Sequence, residues 1–145
     1  MGKPGARLRV WDPFVRVFHW GTVALFAAAY VSPDDKSLHE PLGYTVLALV
    51  VLRIIWGVVG SRHARFRDFV HPPRRVLAYL RQLRTGHARR YLGHNPAGGA
   101  MVVVLLGMLT LVAGSGWMSE TDRWFGVPWV DRLHHVSAHL LLVLV

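Results

Sequence analysis

Long apolar runs constrain this chain more than any other feature. They cover roughly residues 17–31, 42–60 and 97–113, and a fourth begins near residue 130 and is still running at Val145. A helix that crosses the ~30 Å hydrocarbon layer of a bilayer needs about 20 residues of this kind. We therefore expect an all-α integral membrane protein: a four-transmembrane-helix bundle whose fourth helix is cut short at the chain end.

The helix ends can be placed from local signals. Asn95 is a capping residue, and Pro96 follows in the first turn, where its missing N–H costs nothing. The first run also resembles the apolar region of a signal peptide, but the segment before it is long and contains both Asp12 and Pro13. The predicted helices lie within one membrane domain, 1–145, at about 15–32, 39–60, 96–115 and 130–145.

The charges between the runs predict an orientation. Residues 1–16 carry four basic and one acidic side chain, and residues 61–95 carry nine arginines and one aspartate. Residues 32–41 and 115–133 are acidic on balance. By the positive-inside rule, the N-terminus and the 61–95 segment face the cytoplasm. The net charge of +9 alone would fit a nucleic-acid-binding protein, but the apolar runs exclude that class.

The basic segment contains a candidate surface helix. In "PPRRVLAYLRQLRTG", Val76, Leu80 and Leu83 recur at helical spacing with arginines on the other side. This pattern predicts an interfacial helix over about 73–85 that lies on anionic lipid headgroups. The alternative interpretation is an ordinary solvated basic connector.

The cofactor chemistry is limited by composition, because the chain has no cysteine. Disulfides, thiolate metal sites, iron–sulfur clusters and covalent haem attachment are excluded together. Any cofactor must be held by histidine, methionine or oxygen ligands.

Two histidines fall at the same depth on different predicted helices. His39 precedes the second helix and His134 opens the fourth, both at the outer side. Buried imidazoles in a bundle need partners, so this pair predicts axial ligation of a haem b, which has no open position for substrate. His135 and His139 lie close enough along the helix that either can replace His134 in this role.

Further residues point to the inner side of the bundle. His19 near the inner end of helix one predicts a second haem, with His94 and His63 as the other histidines at that level. Arg53 lies deep in helix two, where a charge needs an anion such as a haem propionate.

Because glycine has no side chain, a glycine in a helix can leave room for a large flat group such as a haem. Gly43, one turn after His39, lets a ring edge approach the backbone. Gly98 and Gly99 can do the same or can simply pack helices closely.

Two functions of other classes stay open at this point. His134, His135 and His139 can form a zinc or copper cluster in a metal-binding or metal-transporting membrane protein without haem. The chain can also be a structural anchor that docks a soluble protein at the membrane.

Several fragments resemble a known family in order and spacing. The chain is similar over nearly its whole length to the prokaryotic cytochrome b561 family, close to the b-type cytochrome subunit of nickel–iron hydrogenases. The fragments are "RVFHW" at 16–20, "LHEPLGY" at 38–44, "RIIWGVVGSRHARFRDFV" at 53–70, "YLGHNPAGGAM" at 91–101 and "LHHVSAHLLL" at 133–142.

This resemblance implies a four-helix bundle of the bacterial inner membrane that binds one or two non-covalent b-type haems. It implies respiratory-chain electron transfer between a quinone and a partner redox protein, such as a hydrogenase, a cytochrome c or another oxidoreductase subunit. The chain itself would be a non-catalytic electron-transfer subunit.

The resemblance also assigns ligands. It makes His39 and His134 iron ligands of the outer haem and His19 a ligand of the inner one, whose other histidine would fall near position 148. His94 is then a propionate or interface contact. Where the family has a carboxylate and an amide after the helix-four ligand, this chain has His135 and His139.

Overall fold

A computed structural model describes residues 12–87, 89–91 and 93–145, and this part of the chain is helical, without strands. Three of its helices, α1, α2 and α5, are long and apolar enough to cross a membrane. The fourth expected span, α6, has 17 residues and is not among those three. In chain order the helices are α1 (Pro13–Val31), α2 (Lys36–Val59), α3 (Phe66–Phe69), α4 (Pro73–Arg84), α5 (Pro96–Ser119) and α6 (Pro128–Leu144).

Two long helices begin with a capping side chain followed by proline. The Asp12 carboxylate accepts hydrogen bonds from the backbone N–H groups of Phe14 and Val15 at the start of α1. The predicted cap of α5 is confirmed, since the Asn95 side chain accepts from the Gly98 N–H at 2.7 Å. These caps satisfy backbone donors that have no partner within the helix.

Two helix ends differ from the positions that the sequence indicated. α2 starts at Lys36 rather than near residue 39, because the Asp35 carbonyl already accepts the His39 N–H at 2.7 Å. α5 runs to Ser119 rather than to about residue 115. The hydroxyls of Ser115 and Ser119 bond back to carbonyls one turn earlier, so polar residues are accommodated inside the helix.

The core lies where α2, α5 and α6 meet, and α1 packs along α2. Its buried members on α2 and α5 share one face of each helix, and α6 contributes one residue. They are Val46, Val50, Leu109, Val112, Ala113 and Leu141. The opposite faces expose large apolar side chains such as Leu52, Ile55, Val104 and Leu142, which suits a surface surrounded by lipid rather than water.

The segment after α2 folds back onto the bundle. Phe66 packs directly on Gly57, where an added side chain would overlap the ring. Phe69 is buried, and its carbonyl lies against Gly99 of α5. Gly99 therefore serves close packing rather than a cofactor cavity. We call this end of the bundle, with Pro13, Val59 and Pro96, the inner end, and the opposite end the outer end.

Candidate cofactor site

A cavity of about 740 Å³ opens between α1, α2, α5 and α6 at the outer end. Its size falls in the range of protein sites that bind small molecules and cofactors. Its walls mix aromatic, small apolar and imidazole side chains with the charged residues Asp34, Lys36, Glu40, Glu120 and Asp131. They include Phe26, Ala29, Tyr30, His39, Gly43, Val46, Val112, Ala113, Gly116, His134, His135, Ala138 and His139.

His39 and His134 face each other in this cavity. Their ring centres are 5.9 Å apart and the ring planes make an angle of 78°. Two imidazoles that bind one metal ion from opposite sides, at about 2 Å each, place their ring centres about 6 Å apart. The structure therefore brings this predicted pair to the spacing that a shared metal requires.

Both rings are held by a backbone carbonyl. His39 donates its Nδ1–H to the Ala29 oxygen of α1 at 2.9 Å, and His134 donates its Nδ1–H to the Val112 oxygen of α5 at 2.9 Å. A carbonyl only accepts, so Nδ1 carries the proton in each neutral ring and Nε2 keeps a free lone pair. Metal-binding histidines are commonly oriented by this kind of bond. Each ring is thus set in the tautomer that a metal ligand through Nε2 needs.

Two glycines leave room around the paired rings. A Cβ on Gly43 would meet nothing within 4 Å, because this position opens into the cavity. A Cβ on Gly116 would lie 3.0 Å from Cε1 and 3.1 Å from Nδ1 of His134. Gly116 is therefore the residue that allows the His134 ring to lie flat against α5.

The alternative ligands on α6 line the same cavity but are more exposed than His134. His135 and His139 are exposed, whereas His134 is half-buried, and the His135 ring centre lies 5.8 Å from that of His134. His139 donates its Nδ1–H to the His135 carbonyl and packs edge-on to the Tyr30 ring. Within residues 12–87, 89–91 and 93–145, no group of three or more histidine and carboxylate side chains is arranged to hold a metal ion. The described structure thus gives no support to a cluster of helix-six imidazoles.

The inner-side residues are not gathered into a comparable pair. His19 is exposed on α1, with its ring beside Trp20 at 5.2 Å rather than beside another histidine. His94 is half-buried and stacks on Phe69 at 4.9 Å. Burial lowers the pKa of His94, and the nearby positive charge of Arg53 lowers it further. His94 is therefore kept neutral near pH 7.

Arg53 is the most unusual charged residue in the bundle. Its side chain is 3% exposed and its guanidinium lies 5.1 Å from the Phe66 ring centre. Its Nη1 atom has no hydrogen-bond partner among the described residues. Arg53 lies 14 residues after His39, which is about 21 Å along the helix, so it belongs to the inner end and does not line the outer cavity.

Sequence reasoning missed three parts of this site. Neither Gly116 nor the Ala29 and Val112 carbonyls were identified. The sequence did contain a signal for Gly116, because Leu109, Val112 and Gly116 follow helical spacing on one face of α5. The carbonyl partners depend on how neighbouring helices are placed, and nothing local in the sequence encodes that placement.

The fold and this cavity define a class: a helical membrane protein that can hold a flat metal cofactor between two oriented imidazoles. The chain belongs to the prokaryotic cytochrome b561 family, whose sequence profile matches residues 10–145. It is therefore a b-type cytochrome of the membrane, and the residues lining the outer cavity fit a haem b.

Two curated relatives agree with this assignment. Each is called a probable Ni/Fe-hydrogenase B-type cytochrome subunit, one from Azotobacter vinelandii at 26% identity and one from Azotobacter chroococcum mcd 1 at 24% identity. Both similarities cover 94% of this chain and 76% of the relative. No solved structure matches the chain.

Proposed function

We propose that this chain carries electrons in the membrane through a haem b held in the outer cavity by Nε2 of His39 and Nε2 of His134. The observation that carries the proposal is the facing pair of imidazoles, each fixed by its own Nδ1–H bond to a neighbouring helix. A bound haem b supplies one-electron exchange at iron, and two imidazole ligands leave no coordination position for substrate.

The protein residues would contribute position and environment. His39 is tied to α1 and His134 to α5, so the ligand set draws on all four long helices. Apolar residues such as Phe26, Val46 and Ala113 form part of the cavity wall and would pack against the ring of the cofactor.

For the inner end we propose a second haem with His19 as one ligand. Arg53 supports an anionic group there, because its buried Nη1 atom has no hydrogen-bond partner among the described residues. A haem propionate is such a group, and the half-buried His94 lies near enough to share it. In this arrangement α6 is the fourth membrane span, and the inner end faces the cytoplasm.

The partners are proposed from the relatives and from the membrane setting. The relatives' names point to a hydrogenase as a redox partner, with a cytochrome c or another oxidoreductase subunit as the alternative. A quinone is the second proposed partner, because it is the mobile electron carrier of the lipid phase that surrounds the exposed apolar faces.

Ligand substitution tests the haem assignment. We expect His39→Ala and His134→Ala each to remove one haem per chain, measured as pyridine haemochrome per purified protein. His135→Ala and His139→Ala are the matched controls on α6 and should keep the full haem content, because these side chains are exposed. Electron transfer is read separately as haem reduction by a quinol in proteoliposomes.

Two outcomes would contradict the ligand assignment. Full haem content in either His39→Ala or His134→Ala is one of them. Loss of haem in His135→Ala with retention in His134→Ala is the other, since it would move the ligand by one residue. A colourless wild-type protein that binds zinc would instead support the metal-binding function.

A further inference from the structure

A second cavity, of about 330 Å³, lies between α4 and the start of α5. It is separate from the haem site and belongs to the inner end of the bundle. The side chains around it are mostly cationic or polar hydrogen-bond donors. They are His71, Arg75, Tyr79, Gln82, Arg89 and Tyr91, with Ala78 and Pro96.

This cavity is positively charged and has no carboxylate in its wall. Asp68 is the only acidic residue between positions 61 and 95, and it lies 3.6 Å from the Nε atom of Arg65. Arg75 and Arg89 therefore line the cavity without a carboxylate among its described lining residues. Two forked cations at one opening are suited to the oxygens of a phosphate group.

The cavity lies at the level of the lipid headgroups. Pro96 is the first residue of the membrane-crossing α5, and it forms part of the cavity wall. Tyr79 of α4 is buried, and its ring packs edge-on to the Tyr91 ring at 5.6 Å between the ring centres. These contacts hold α4 at the level of Pro96. A group bound here is therefore at the depth where phospholipid phosphates are found.

The free face of α4 also suits a lipid surface. Leu77, Leu80 and Leu83 are 56%, 43% and 49% exposed, so the rest of the described chain does not cover them. They run beside Arg81 and Arg84, which are exposed as well. Apolar residues flanked by arginines are the composition of helices that lie in the headgroup region.

We propose that this cavity binds the phosphate of an anionic phospholipid headgroup, with Arg75 and Arg89 as its two charged contacts and Gln82 as a neutral donor. The leucine face of α4 then lies in the acyl boundary of the same leaflet. Basic pockets at the ends of membrane helices bind anionic headgroups in this way. The site serves lipid attachment and is independent of the haem ligands.

Native mass spectrometry of the haem-loaded full chain tests this proposal. The protein is purified in detergent, incubated with equal amounts of phosphatidylglycerol and phosphatidylcholine, and scored for retained lipid. We expect the wild type to retain phosphatidylglycerol preferentially. In Arg75→Gln/Arg89→Gln this retention should fall about tenfold, because two charge-assisted hydrogen bonds are lost.

The matched control is Arg74→Gln/Arg90→Gln, which, like the test variant, removes one charge from α4 and one from the segment after it, without touching the cavity lining. It should retain most of the phosphatidylglycerol. Haem content is measured in every variant and should stay unchanged, so failure of the lipid site is distinguishable from failure of the haem assignment.

Three results would overturn the proposal. Equal losses in the two double variants would show diffuse attraction to the basic surface instead of a site. Equal retention of both lipids by the wild type would remove headgroup charge as the basis of binding. If inorganic phosphate displaces the lipid at low millimolar concentration and itself binds the delipidated protein with the same dependence on Arg75 and Arg89, the ligand is free phosphate instead.

Discussion

Gly116→Ala is the most informative single change, because it adds one methyl group beside a proposed iron ligand. The new Cβ would lie 3.0 Å from Cε1 of His134, whereas ordinary contact begins at 3.4 Å. The ring must retreat from α5, and its 2.9 Å bond to the Val112 carbonyl must lengthen. We therefore expect a displaced His134 ring and weaker haem binding.

The magnitude follows from opposing effects. An extra methyl group in a packed site costs about 1–3 kcal/mol. Replacing a helical glycine by alanine returns about 1 kcal/mol of helix stability. The gain in helix propensity stabilises the fold as a whole, whereas the steric cost falls on the position of the His134 ring. We expect the dissociation constant for haem to rise about tenfold, which corresponds to about 1.4 kcal/mol.

The assay is titration of apoprotein with haem b, together with the absorption spectrum of the loaded protein. Gly114→Ala is the matched control in the same helix, because a Cβ there meets nothing within 4 Å. It gains the same helix propensity and should bind haem like the wild type. Equal haem affinity and identical spectra for the two variants would refute the placement of His134 against Gly116.

Three further changes test other parts of the structure. Asp12→Ala should lower the free energy of unfolding by at least about 1 kcal/mol, because it removes the α1 cap and also the acceptor for Trp56 and Ser61. Burial alone would raise the pKa of Asp12, but its hydrogen bonds hold that pKa below the usual value, so in the wild type this stability should be lost only as the pH falls below about 4. In the haem-free protein, the lowered pKa of His94 means that the unfolded chain binds more protons, so thermal stability should fall as the pH drops through about 6.5, and less so in His94→Gln. Gly99→Ala should destabilise by about 1–3 kcal/mol because it meets the Phe69 carbonyl, whereas Gly107→Ala has open space and should not.

The depth of the paired histidines could be predicted from the sequence, because position along a membrane helix fixes depth at about 1.5 Å per residue. His39 and His134 were placed at one level in this way. Whether the two rings face each other depends on how each helix is rotated about its own axis, and depth alone does not determine that rotation. A signal existed for α6, where Val130, Ser137 and Leu141 are buried and His134 shares their spacing, while His135 does not.

The inner end was less predictable, because its contacts join residues distant in the chain. Trp56 and Ser61 both donate to the Asp12 carboxylate, and Phe69 lies against Gly99. Short-range sequence patterns identify a loop between α2 and α5, but they do not show which part of the bundle this loop packs against. The extra turn of α5 beyond residue 115 was missed for a local reason, since serine and glycine are common in loops, and only the structure shows that the Ser115 and Ser119 hydroxyls are paired within the helix.

Electron paramagnetic resonance of the oxidised protein most directly tests whether His39 and His134 bind one iron. The ring planes stand at 78° to each other, and nearly perpendicular imidazoles give a strongly anisotropic low-spin ferric signal. We expect this signal in the wild type, and in both His39→Ala and His134→Ala we expect the loss of the component that belongs to one haem per chain. Persistence of the full wild-type signal in either variant, with no haem lost, would contradict a haem held between these two side chains.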